Sequence, residues 1–329
     1  MTLMKRRESN RRRRSKDDAH WRDLPLMALI AAMVLLVGCA KPPPASSDGI
    51  PQTGFMVESP FAPAYETYGP GLLGEPISGL CQVADGSRAQ YFQRMRLEVS
   101  SDGQDVAIYP LGEWAYDGLR RKTVAPTPDN SRTREFPETG FVVRDEFLDF
   151  YEENGGEALL GPPISPQLDE GTLRVQYFRN ARLEWHPDAP VEQRVRVGML
   201  GQAHYLQAAH DVTCEFRSRP VDVTTVRDVD VLASAEAPIL YMGDEQIIYA
   251  MVTTDAGVPV AGVPVSLTLQ DVDWTLTVEL GRTNGEGKVQ GGLRMPRFVP
   301  GRMVGVTVDA EGMGGATLGH TGLAFQTWW

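Results

Sequence analysis

The residues that most often carry chemistry are sparse here and badly spaced for it. Five histidines occur, at 20, 186, 204, 210 and 320. His204 and His210 stand six residues apart, which suits neither one helical face nor adjacent positions, so no zinc site is expected from them. The two Asp-Val-Asp triplets at 228–230 and 271–273 lack the further oxygen ligands of a calcium loop and read as solvated carboxylates. Nucleophile elbows of the Gly-x-Ser-x-Gly type, His-Glu-x-x-His helices, phosphate-binding Gly-Lys-Ser/Thr loops and Cys-x-x-Cys pairs do not occur. The reading is therefore non-catalytic, with no cofactor and no metal. Aromatic side chains are better candidates, because an amphipathic ring can lie half-wet against the flat C–H face of a sugar. Tyr91, Trp114, Tyr177 and Trp185 are the glycan-contact candidates, with packing in a core as the competing role.

Cysteine usage points to an address. Residues 1–38 join a basic cluster (Lys5 to Arg22) to the apolar run 24–38, the layout of an export signal. Fifteen apolar residues fall short of the roughly 20 a helix needs to span a bilayer, which places an uncleaved signal anchor second. The run ends in Leu-Val-Gly-Cys at 36–39 and resembles the lipobox of bacterial lipoproteins. That resemblance implies acylation of Cys39 and an extracytoplasmic chain held to the membrane by lipid. Residues 39–53, rich in Pro and Ser, would be the spacer. Cys81 and Cys214 remain, and in an oxidising compartment they are candidates for a disulfide; two buried free thiols are the alternative. Nine of the 32 Lys/Arg and four of the 43 Asp/Glu lie in the leader, leaving 23 basic against 39 acidic residues. Such a surface excludes nucleic acid as a partner and gives no electrostatic help at an anionic membrane.

The elements that must position the aromatics come in duplicate. Residues 54–98 and 140–184 share twenty identities, among them Leu-Leu-Gly, Pro-Ile-Ser, Gln-Tyr-Phe and Arg-Leu-Glu. A further echo, Leu-Gly-x-x-x-Tyr, lies at 111–116 and 200–205. Each copy reads as a short helix, a Gly/Pro turn and a β-hairpin. In the second copy Asp145 is placed to cap the helix and Gly155 to end it; in the first, Pro63 should leave the helix frayed. The aromatic helix, Leu-Gly-x-Pro turn and Gln-x-Phe hairpin resemble the LGFP repeat of bacterial cell-wall-associated proteins, with Glu75 and Pro162 standing where that family has phenylalanine. The resemblance implies contact with cell-wall polysaccharide or peptidoglycan.

The expected domains are repeat 1 over 54–116, a surface linker or insertion over 117–139, repeat 2 over 140–216 and a third domain over 221–329. In that third domain seven short alternating runs separated by Gly/Pro/Asn turns predict an antiparallel β-sandwich. Val265, Leu267 and Leu269 should face the core, as should Val304, Val306 and Val308. The segment Gly-Val-Pro-Val-Ala-Gly-Val-Pro-Val from 257 and Thr-Asn-Gly-Glu-Gly from 283 resemble bacterial immunoglobulin-like domains, which implies a stalk or a surface protein partner. The fold class is thus mainly β: two small α+β repeat units followed by an immunoglobulin-like sandwich. Two functions follow. One is a lipid-anchored envelope protein binding wall glycan through its repeats; the other is a structural or adhesive scaffold that takes a protein partner through the sandwich. Trp328 and Trp329, beyond the last apolar run, are expected to cap the sandwich or form a sticky surface.

Overall fold

Each repeat builds its helix and hairpin from the pattern just described. The computed structural model describes residues 53–116, 123–216, 218–295, 297 and 299–329. Cys39 and the leader lie outside the described residues, as does the stretch 117–122. In the first copy α1 (Ala62–Leu73) leads into β1 (Cys81–Val83), β2 (Arg88–Tyr91), β3 (Arg96–Val99), β4 (Val106–Ile108) and the short helix α2 (Leu111–Ala115). Pro63 sits in the first turn, where its missing N–H costs nothing, so the frayed start is corrected to a formed one; the irregularity falls instead at Gly69. Residues 123–144 carry β5 (Thr123–Val124), β6 (Thr133–Phe136) and β7 (Phe141–Arg144). The second copy then repeats the order: α3 (Asp145–Glu153), α4 (Gly156–Leu159), β8 (Leu168–Glu170), β9 (Leu173–Tyr177), β10 (Arg182–Trp185), β11 (Val195–Val197), α5 (Leu200–Gln207) and β12 (Val212–Cys214). Gly155 takes the left-handed exit, but Asp145 does not cap α3, because its carboxylate accepts from the Arg132 backbone N–H instead.

The repeated residues do the same structural job in both copies. The Ser78 and Ser165 hydroxyls accept the backbone N–H of Tyr91 and Tyr177, at 3.0 and 2.9 Å. The Gln90 and Gln176 carboxamides donate back to the Ser78 and Ser165 carbonyls, each at 2.9 Å. Tyr65 stacks on Phe92 with ring centroids 5.5 Å apart, and Tyr151 on Phe178 at 5.3 Å. Gly74 and Gly161 adopt φ of 81° and 76° under the hairpin turns, where a Cβ would press on Gln93 and Arg179. These identities in the alignment therefore mark fixed hydrogen bonds, ring stacks or close approaches.

The copies are joined by exchange rather than by simple apposition. Two five-stranded sheets form, with orders β12-β1-β2-β3-β4 and β11-β10-β9-β8-β5. The edge strand β12 follows the second copy's hairpin but pairs with β1 of the first, while β5 follows the first copy and pairs with β8 of the second. The helix before each strand crosses with it. Gly201 of α5 lies against the Phe92 and Met95 carbonyls, and Gly112 of α2 against those of Phe178 and Ala181. The two tails thus embrace reciprocally, and the apolar faces of both copies merge in one core containing Phe61, Phe92, Leu97, Tyr151, Phe178 and Leu183. Of the two readings of 117–139, linker or insertion, the described part is structured and so departs from a bare linker: Thr123 and Val124 extend a sheet, Arg134 and its neighbours form the β6–β7 hairpin, and Ala125 and Phe136 are buried.

The remaining strands form the sandwich: β13 (Val221–Asp222), β14 (Asp230–Ala235), β15 (Ile239–Tyr241), β16 (Gln246–Thr253), β17 (Val260–Ala261), β18 (Pro264–Gln270), β19 (Thr275–Arg282), β20 (Lys288–Leu293), β21 (Met303–Glu311) and β22 (Thr317–Trp328). A three-stranded sheet β14-β16-β20 faces a five-stranded sheet β15-β22-β21-β18-β19. Val265, Leu267, Leu269, Val304, Val306 and Val308 all point into the core between them. The fold is mainly β, as the alternation requires. Residues 53 onward belong to one compact unit. Within it α5 docks on β14, with the Gln202 Nε2 donating to the Ala233 carbonyl at 2.8 Å and Gln207 Nε2 to the Ser234 Oγ at 2.8 Å. Met251 and Leu232 of the sandwich share a small core with Tyr91, Tyr205 and Leu206 of the repeats.

Candidate functional site

Each repeat sheet carries one polar cluster, and in the first of them the exchange brings together residues far apart in sequence. In the first, Arg96 is fully buried on β3, where its guanidinium donates to the Asp211 carboxylate at 3.2 and 2.8 Å and to the Tyr91 hydroxyl at 2.9 Å. Glu98 pairs with the same guanidinium. The His204 Nδ1, brought across on α5, stands 2.9 Å from the Tyr91 hydroxyl. Tyr109 and Trp114 close the cluster with edge contacts to the imidazole at 5.3 and 4.9 Å. Burial, with the Arg96 charge adding to it, pushes His204 down to about 4, so the ring is neutral over the physiological range. Both terminal nitrogens of this buried cation are engaged while its Nε is buried without a partner, and the cluster reads as a structural node.

The second cluster repeats the design on β9 and β10. The Tyr177 hydroxyl donates to Glu170 at 3.0 Å, and Arg182 pairs with Glu184 and, at 3.6 Å, with Glu170. His186 reaches the other Glu184 oxygen at 3.1 Å. Burial alone would raise the Glu184 carboxyl, but the Arg182 charge and the hydrogen bonds from His186 and Arg182 outweigh it and hold the group at about 2. Unlike the first cluster, this one lines a cavity of about 920 Å³ between the repeats and the sandwich.

The four glycan-contact candidates are separated by the fold. Tyr91 and Tyr177 are 0 % and 2 % exposed, their hydroxyls engaged in the two clusters, so the sugar-facing role expected of them is corrected to a packing role. Alternation on a sheet buried on both faces is the reason: the neighbouring Gln90 and Gln176 are buried too. Trp114, 36 % exposed, stands at the rim of the large cavity. Trp185 ends β10 and lines a separate cavity of about 340 Å³ with Asn130, Ser131, Asp145, Glu146, Gln167 and Arg174. The Arg194 guanidinium lies 5.6 Å from the Trp185 ring centroid and steadies it. Two features of that cavity had no sequence signal. The Ser131 Oγ is buried without a hydrogen-bond partner, and Asp145 takes a φ of 52°, the one positive value at a non-glycine position among the described residues. Such a backbone is strained for a residue with a Cβ and recurs at binding sites.

Cys81 and Cys214 face each other across β1 and β12 and form a disulfide, which ties the exchanged tail of the second copy to the first sheet. Among the described residues no cluster of His, Cys, Asp and Glu is arranged to hold a metal ion, and no helix is long and apolar enough to cross a membrane.

No family model and no curated protein matches the chain. Among solved structures, the extracellular domain of a hybrid two component system from B. thetaiotaomicron aligns with 76 % of this chain and 32 % of its own, at 10 % identity and a TM-score of 0.19. The chain spans about a third of that neighbour's length. A likeness that slight carries nothing about fold or function.

Proposed function

We propose that the chain is a lipid-anchored, extracytoplasmic, non-catalytic protein of the cell envelope, tethered through Cys39, whose repeat pair binds cell-wall polysaccharide or peptidoglycan. The Trp185 cavity carries this reading: a half-buried indole faces an amide, a hydroxyl, carboxylates and a guanidinium around a space of about 340 Å³. That combination of an apolar ring face with convergent polar groups is what a sugar ring requires, and the volume falls within the usual range of small-ligand sites. The unpartnered Ser131 hydroxyl offers a donor and an acceptor to a sugar hydroxyl. The immunoglobulin-like sandwich, docked on α5, would hold the repeats at a set angle rather than swing on a linker.

Co-sedimentation of the full chain with isolated cell wall tests this. Retention should exceed that of an unrelated acidic protein and fall at least tenfold in Trp185→Ala while the thermal midpoint of the variant stays above the assay temperature. Equal retention of variant and parent would overturn the assignment of the site. A second reading, a scaffold that captures a protein partner through the sandwich, is favoured by the exposed Met242, Met303, Trp328 and Trp329 on its β15–β22–β21 edge. There the double variant Trp328→Ser/Trp329→Ser would lose partner capture with wall retention unchanged.

A further inference from the structure

The pseudo-symmetry of the exchanged repeats breaks where α2 and α5 meet, and the break leaves room in the large cavity. Aligning α2 with α5 sets Leu111 on Leu200, Gly112 on Gly201, Trp114 on Ala203, Ala115 on His204 and Tyr116 on Tyr205. The two tyrosines keep the correspondence in space: Tyr205 packs on Tyr91 at 4.9 Å and Tyr116 on Tyr177 at 5.1 Å. On the first side the two helices bring Trp114 and His204 edge to face at 4.9 Å. In the alignment the equivalent pair on the second side is Ala203 and Ala115. Both alanines line the 920 Å³ cavity; His204 does not. The second side thus carries methyl groups where the first carries an indole and an imidazole, which leaves room in the part of the cleft that the two alanines line.

We propose that this cavity binds a small planar nitrogen heteroaromatic ring, seated where the symmetry would place an imidazole or indole. Leu200 and the Trp114 ring offer apolar walls, and Ala115 and Ala203 leave the room. In the first cluster the tyrosine hydroxyl meets a ring nitrogen; in the second it donates to Glu170. The polar wall there consists of the Glu170 and Glu184 carboxylates flanking the Arg182 guanidinium, so hydrogen-bond acceptors outnumber it and select a ring that carries an N–H donor. This site is separate from the Trp185 cavity and does not depend on glycan binding.

Calorimetric titration of the full chain with indole, and in parallel with imidazole, tests the proposal. One equivalent should bind and raise the thermal midpoint. Ala115→His/Ala203→Trp, which rebuilds the ring pair of the other side, should weaken binding at least tenfold; should that double variant not fold, Ala203→Leu is expected to weaken it in the same direction. Trp185→Ala should leave ring binding unchanged, which separates this site from the glycan reading. No binding of either ring, equal binding by parent and filled variants, or displacement of indole by N-acetylglucosamine would each overturn the proposal.

Discussion

Replacing Gly201 by alanine tests the exchanged arrangement most directly. Within a helix an alanine is favoured over glycine by about 1 kcal/mol, so on local grounds Gly201→Ala should stabilise α5. Its Cβ, however, would stand 2.7 Å from the Met95 carbonyl oxygen and closer still to that of Phe92, where real Cβ atoms keep at least 3.0 Å. Those carbonyls belong to the turn between β2 and β3, where the Phe92 N–H already donates to the Met95 carbonyl at 2.8 Å, so they cannot give way cheaply. Overpacking of this kind costs about 1–3 kcal/mol, with backbone atoms as the obstacle at the upper end. Gly71 is the control: it lies in α1, is exposed, and has nothing within 4 Å of a built Cβ. Gly71→Ala should therefore gain up to ~1 kcal/mol while Gly201→Ala loses about 2, a gap of about 3 kcal/mol between two identical substitutions. Urea midpoints of the full chain read this gap, and Gly112→Ala should repeat the loss through the Phe178 and Ala181 carbonyls. If Gly201→Ala fell within ~0.5 kcal/mol of Gly71→Ala, the margin ordinary for surface changes, α5 would not be seated on the first hairpin and the exchange would be wrong.

The disulfide closes a loop between residues 133 apart in sequence, so on the chain-entropy account Cys81→Ala/Cys214→Ala should lower stability by about 5 kcal/mol, measured by urea unfolding without reductant; a loss under ~1 kcal/mol would mean that packing alone holds β12. His204 is held neutral, at about 4 against an ordinary 6.5, so its contribution is fully present above pH 6.5 and is lost as the pH falls through 6.5 toward 4. That window is worth about 3 kcal/mol, and it should flatten in His204→Gln when urea midpoints are compared between pH 7 and 4; parallel curves for the two proteins would refute the assignment.

How much of this was legible without coordinates differs by level. The helix–turn–hairpin unit was readable because every repeated residue acts within its own copy: Ser78 on Tyr91, Gln90 on Ser78, Tyr65 on Phe92. The sandwich was readable because strict alternation, as in Val304, Val306 and Val308, leaves a strand only one way to face a core. The Trp185 cavity was half legible: the indole was singled out, but Ser131 and Asp145 reach it from a segment read as linker and from a helix start. For Tyr91 and Tyr177 sugar contact and packing both stayed open, because hairpin alternation does not say whether the second face of a sheet is wet, and here it is covered.

The sequence by itself determined the duplicated unit, the all-but-identical local contacts of its two copies and the sandwich strands, since each depends on neighbours in the chain or on periodicity. Only the tertiary structure decided which tail crosses to which hairpin. Both hairpins offer the same glycine-sized niche, to Gly112 on one side and Gly201 on the other, so a tail folding back on its own copy would make the same local contacts. The choice rests on long-range strand pairing, β12 on β1 and β5 on β8, which no window of sequence contains. The same crossing sets Trp114 against His204 and places Ala115 and Ala203 on one cavity, and so turns two unremarkable alanines into part of its wall.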